Sequence, residues 1–85
     1  MIIEFTKKAD EDFEYFKNTG NKQAIKKIKK LLHAIGDDPF KGIGQPEPLK
    51  HELSGAWSRR INREHRVLYE IKNDIVYILS LKGHY

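Results

Sequence analysis

The chain has 85 residues, of which 39% are hydrophobic and 33% charged, a mixture that fits one small globular domain over residues 1–85 and excludes a disordered segment. No cysteine is present, which removes disulfides, thiolate zinc sites and thiol nucleophiles. Sixteen Lys and Arg against 12 Asp and Glu leave a net charge of +4, suited to a polyanionic partner such as nucleic acid, and no apolar run is long enough for a signal peptide or a membrane span, so a soluble cytoplasmic protein with no membrane partner is expected.

Residues 1–5 are apolar and β-prone and read as a first strand. Thr6 then suits an N-cap, with Ala9, Phe13 and Phe16 recurring at helical spacing and Gly20 as a stop. Asn21 caps a second helix in which Ala24, Ile25, Ile28, Leu31, Leu32 and Ile35 make one apolar stripe, closed by Gly36. Its opposite face carries Lys22, Lys26, Lys29 and Lys30, with Lys27 at the flank. Such a strip is either a solvated helix face or a set of phosphate contacts.

Periodicity is lost from Asp37 to Pro48, where Asp38-Pro39, Gly42, Gly44, Pro46 and Pro48 follow in close order. Beyond it the pattern turns to β, with strands expected at about 49–53, 57–61, 66–71 and 75–82. A strand, two helices and an antiparallel meander make an α+β fold with the helices on one sheet face. Alternation puts the odd positions Val67, Tyr69, Ile71, Ile75, Tyr77, Leu79 and Leu81 toward the helices. A three-residue turn at 62–64 would set Arg60 opposite Arg66, and a two-residue turn would set Arg59 there instead. Like charges directly opposite destabilise a sheet, and an anion between them is the natural compensation.

The four histidines show no metal-binding spacing, Gly42 and Gly44 precede no Lys-Ser/Thr helix start, and no serine sits in a nucleophile motif. What remains suits a phosphodiester. Cleaving RNA without a metal or other cofactor needs a base for the ribose 2′-OH, an acid for the leaving 5′-oxygen and cations around the phosphorane. Glu47, between Pro46 and Pro48, is a carboxylate on a stiffened loop. Arg60 and Arg66 are candidate phosphate clamps. His84 titrates near neutrality and could serve as the acid, and Tyr85 could stack on a base. Each has an ordinary structural explanation by itself, and the combination is what carries information.

The stretch from Gly44 to Tyr69, with its P-E-P-L-K-H, W-S-R-R-I and E-H-R-x-x-Y motifs, and the terminal His84-Tyr85 closely resemble the YoeB (Txe/YoeB) family of the RelE/ParE toxin superfamily. The resemblance extends over the whole chain, including the Asp38-Pro39-Phe40 turn. It implies the compact microbial-ribonuclease-like fold and the toxin of a type II toxin–antitoxin module, acting as a ribosome-dependent endoribonuclease on translated mRNA. It further implies Glu47 as base, His84 as acid and Arg66 as the transition-state arginine, with Lys50, Arg60 and Tyr85 lining the same site. The implied products are a 2′,3′-cyclic phosphate and a 5′-hydroxyl. The implied partners are a YefM-type antitoxin, the ribosome and its mRNA, with contacts from the second helix to ribosomal RNA and room for a homodimer. Family members often carry Arg-Tyr before His-Tyr, whereas this chain has Lys82-Gly83, and a glycine there is expected to loosen the acid. The main alternative is a ParE-like toxin of the same architecture that binds DNA gyrase without cleaving anything; a general RNA-binding module is the third reading.

Overall fold

Thr6 joins the first strand to the first helix and ties both to the far end of the chain. In the computed structural model, which describes residues 1–83, its hydroxyl accepts from the Ala9 amide at 3.2 Å as the N-cap and donates to the Ile78 carbonyl at 2.8 Å. A cap of this kind stabilises a helix by roughly 1 kcal/mol. Around this junction the described residues form β1 (Ile2–Phe5), α1 (Lys7–Asn18), α2 (Lys22–Asp37), β2 (Glu47–Pro48), β3 (Ala56–Arg60), β4 (Arg66–Lys72) and β5 (Ile75–Ser80). The sheet order is β1-β5-β4-β3-β2, with β1 parallel to β5 and every other pair antiparallel.

Both helices lie on one face of the sheet. Ala9 and Phe16 of α1 and Ala24, Ile28, Leu31 and Ile35 of α2 pack with Val67, Tyr69, Val76 and Ile78 in one buried cluster, edged by Ile3, Phe5, Trp57 and Ile71. Asn21 caps α2 through its side-chain oxygen, which accepts from the Ala24 amide at 3.1 Å. Among the described residues no helix is long and apolar enough to cross a membrane.

Three expectations need correction. Gly36 does not close α2, which continues to Asp37. The stop is Asp38, extended at φ −153° and ψ 108° because Pro39 follows it and disfavours a helical residue before it. Gly36 instead lies against β1: a Cβ there would stand 3.6 Å from the Ile3 Cδ1.

The strand expected at 49–53 is absent. Pairing begins earlier, with Glu47 opposite Ser58 and Pro48 opposite Trp57, and ends at the bond from the Leu49 amide to the Ala56 carbonyl. Residues 51–53 then form a short 3-10 turn, entered through His51 at φ +58°.

The inward positions of β5 are even, not odd: Val76 and Ile78 are fully buried, and Ile75, Tyr77 and Leu79 are only partly so. The cause is the β4–β5 hairpin. Its loop is Asn73-Asp74 alone, both at positive φ (52° and 64°), so Lys72 faces Ile75 and the parity inverts across the turn. A register shift opposite Leu68 and Tyr69 reverses the parity again, which returns Leu81 to full burial.

Candidate active site

The face of the sheet turned away from the helices carries Glu47, Arg60 and Arg66. Direct partners across a ladder share a face. One row runs from Glu47 on β2 through Ser58 on β3 and Leu68 on β4 to Ser80 on β5. Two residues along β3, Arg60 faces Arg66. Of the two turn lengths open in the sequence, the longer is the one found, with the Ile61 amide bonded to the His65 carbonyl. Ser58, Leu68 and Ser80 are almost fully buried and make a low floor, while Glu47 and Arg60 are exposed and Arg66 is half-buried. Glu47 is thus diagonal to Arg60, a relation of about 7–8 Å that long side chains span. Among the described residues neither arginine has a carboxylate within 4.0 Å. Two arginines at directly paired positions, with a carboxylate diagonal to one of them, suit an anion bordered by a potential proton acceptor.

Lys50 is exposed and lies beyond the Pro48 end of β2, so along the sheet it stands at the opposite end from the Arg60–Arg66 pair. Gly83 lies at the arginine end: its carbonyl accepts from the Arg66 amide at 3.0 Å. His84 and Tyr85 lie outside the described residues. The Gly83 amide also donates to His65 Nδ1 at 2.9 Å, so both of its backbone polar groups are paired.

The loop that leads to Glu47 is organised from beneath by Arg59. Arg59 faces Val67, on the helix side of the sheet, and is fully buried. Its Nε donates to the Tyr69 hydroxyl at 3.0 Å, Nη1 to the Ile43 carbonyl at 3.1 Å, and Nη2 to the carbonyls of Asp38 (2.5 Å) and Lys41 (3.0 Å). The Tyr69 hydroxyl in turn donates to the Pro39 carbonyl at 2.6 Å. Burial raises the Tyr69 pKa above its usual value; the hydrogen bond and charge of Arg59 oppose this, and the Asp38 charge adds to it. The phenol therefore stays protonated and keeps its donor. Further along, the Gly44 carbonyl accepts from the Arg60 amide at 2.6 Å. Gly44 is at φ +86°, and a Cβ on it would stand 2.6 Å from the Leu31 Cδ2. From Asp38 to Gly44 the loop is thus fixed by side-chain and backbone bonds before it enters the Pro46-Glu47-Pro48 segment.

Arg59 is visible in the sequence as the middle of three alternate positions, Trp57, Arg59 and Ile61, whose neighbours are apolar. A charged residue in an inward slot signals a paired interior cation. The lysines of α2 are mostly exposed, and a groove of about 600 Å³ lined by Lys29, His33, Asp37 and Lys41 runs between α2 and the following loop, on the helix side and apart from the Glu47 face.

The chain as a whole is similar to known proteins. The family model described as YoeB-like toxin of bacterial type II toxin-antitoxin system matches residues 5–85. The curated toxin YoeB of Synechocystis is 48% identical over 85 residues, covering 100% of this chain and 98% of the relative. The YoeB–YefM complex from Staphylococcus aureus contains a chain 44% identical with a TM-score of 0.87, covering 100% of this chain and 98% of that one. The YoeB dimer from the same organism gives 43% identity and a TM-score of 0.88 at the same coverage.

Proposed function

The chain belongs to the YoeB-like toxins of bacterial type II toxin–antitoxin systems, and from that membership and the geometry of the open sheet face we propose that it is a ribosome-dependent endoribonuclease, a single toxin domain that cuts translated mRNA in the cytoplasm. The observation that carries this reading is the β3–β4 register, in which Arg60 and Arg66 are direct partners on the face that also bears Glu47. A backbone phosphate between the guanidinium groups relieves their repulsion and receives two planar donors.

In the proposed reaction Glu47 takes the proton of the ribose 2′-OH. The 2′-oxygen attacks the adjacent phosphorus, and Arg66, with Arg60 beside it, offsets the extra negative charge of the phosphorane. The bond to the 5′-oxygen breaks as His84 supplies that oxygen with a proton. The products are a 2′,3′-cyclic phosphate and a 5′-hydroxyl, and the proton inventory closes within the protein's own side chains. Lys50, at the other end of the row, is a cation for a flanking phosphate, and Tyr85 stacks on a base. The exposed lysines of α2 contact ribosomal RNA.

The restraining partner is a YefM-type antitoxin, as in the Staphylococcus aureus complex, meeting this basic surface with acidic and apolar residues. The YoeB dimer of that organism supports a homodimer here as well.

Primer extension on a defined mRNA, with and without translating ribosomes, tests the reading. A cut within the reading frame that requires ribosomes and is lost in Glu47→Ala, Arg66→Ala and His84→Ala is expected. Undiminished cutting by any of these variants would remove that residue's role.

A further inference from the structure

We propose that His65 is a positioning residue for the C-terminal acid, acting by holding the chain at Gly83 against Arg66. The proposal rests on the ribonuclease reading above and adds a residue that touches neither substrate nor reacting atoms.

Past Ser80 the β4–β5 ladder has shifted register and gives way to side-chain bonds. The amides of Leu81 and Lys82 both donate to Asp12 Oδ2, at 2.9 and 3.2 Å, and the next amide, Gly83, donates to His65 Nδ1 at 2.9 Å. Three successive N–H groups are thus held by two side chains from other parts of the fold. Asp12 is 4% exposed and pairs with Lys8 at 2.5 Å. The His65 ring is packed edge-on to Phe16, with centroids 5.1 Å apart.

His65 also fixes its own tautomer. A ring nitrogen that accepts from an amide carries no proton, so in the neutral imidazole the hydrogen is on Nε2, which points toward Glu64 Oε2 at 3.5 Å. Adjacent to His65, the Arg66 amide donates to the Gly83 carbonyl. The first residue of β4 and the residue just before it therefore grip both polar groups of Gly83, and one of them is the proposed phosphate arginine.

Gly83 is at φ +96°, yet a Cβ added there would meet nothing within 4 Å. Glycine is needed for the backbone conformation that brings both groups into reach, not for space. The covalent neighbour of this gripped residue is His84. A general acid acts only within hydrogen-bond reach of its target. Letting the chain end drift by about 1 Å costs on the order of 10²-fold in rate.

The test compares His65→Leu, which has no acceptor, with His65→Asn, whose side-chain oxygen can stand near Nδ1, in steady-state cleavage of programmed ribosomes. His65→Leu should lower kcat by about 10–100-fold with KM nearly unchanged, and His65→Asn should recover most of the loss. Equal losses in Leu and Asn, or a loss carried by KM, would overturn the proposal. If His65→Leu does not fold, Gly83→Ala strains the same point from the chain side and should give the same kcat loss; wild-type kcat there would overturn the proposal. Absence of any cut by the wild-type protein would instead sink the ribonuclease reading itself.

Discussion

Replacing Arg59 by methionine should unfold the loop that carries Glu47 before it unfolds the sheet. The substitution keeps a long apolar side chain against Val67 but removes the donors to Asp38, Lys41, Ile43 and Tyr69. The three carbonyls are near enough to solvent to recruit water, so each loses about 0.5–1 kcal/mol, and the buried Tyr69 oxygen, left without its donor, costs about 1–2 kcal/mol. The sum is about 2.5–5 kcal/mol, which for a domain this size lowers Tm by about 10–40 °C. Trp57 offers a local probe, because its ring lies 5.1 Å from that of Phe40 in the same loop. Thermal melts followed in parallel by circular dichroism and by Trp57 emission should show the fluorescence change preceding loss of secondary structure. Arg59→Lys should fall between, since one ammonium cannot reach all four acceptors. A methionine variant that melts within about 3 °C of wild type, with unchanged emission, would refute this account of the loop; that shift corresponds to less than about 1 kcal/mol.

Two further outcomes follow from the same region. Gly44→Ala combines a positive φ with a Cβ 2.6 Å from Leu31 and 3.1 Å from the Arg59 Cβ; a loss of about 3 kcal/mol is expected in chemical denaturation, and a change below about 1 kcal/mol would show that the loop yields there. Tyr69 has a folded pKa above its ordinary value, chiefly through burial. Its protonated form is therefore favoured in the fold, so that contribution is intact below about pH 10 and declines as the pH rises past the unfolded pKa toward the folded one. Melts across that alkaline range should lose stability more steeply in wild type than in Tyr69→Phe, and parallel curves would contradict the assignment.

Much of the site is legible in the sequence because it depends on short-range order. Arg60 and Arg66 are separated by a turn of only a few residues, so two pairings exhaust the choices, and both keep arginines adjacent. The helices are equally plain, with Thr6 and Asn21 capping just where apolar periodicity begins. What escapes is set by tertiary context. Asn73-Asp74 is a two-residue turn, but Lys72 reads equally well as part of a longer one, and that single residue inverts the faces of β5. Segment 49–53 follows the last proline and has a leucine at each end, yet β2 and β3 have already completed their pairing at Leu49 and Ala56. Gly36 has the composition of a helix stop, but Pro39 decides where α2 ends. Asp12 stands on the inward side of α1 with Ala9 and Phe16, and only the fold shows that the amides it serves are 69 and 70 residues away. The pairing of both Gly83 backbone groups is hidden for the same reason, since its partners His65 and Arg66 lie at the start of β4, far off in the chain.

The chemistry of the cut ends distinguishes attack by the 2′-oxygen from every other route of cleavage. A defined mRNA translated with the protein should yield an upstream fragment ending in a 2′,3′-cyclic phosphate and a downstream fragment beginning with a 5′-hydroxyl, as read by mass spectrometry, with both absent for Glu47→Ala. Fragments ending in a 3′-hydroxyl and 5′-phosphate would contradict the proposed attack by the 2′-oxygen. Intact mRNA in cells that the protein still poisons, with gyrase captured on DNA, would contradict the ribonuclease assignment altogether.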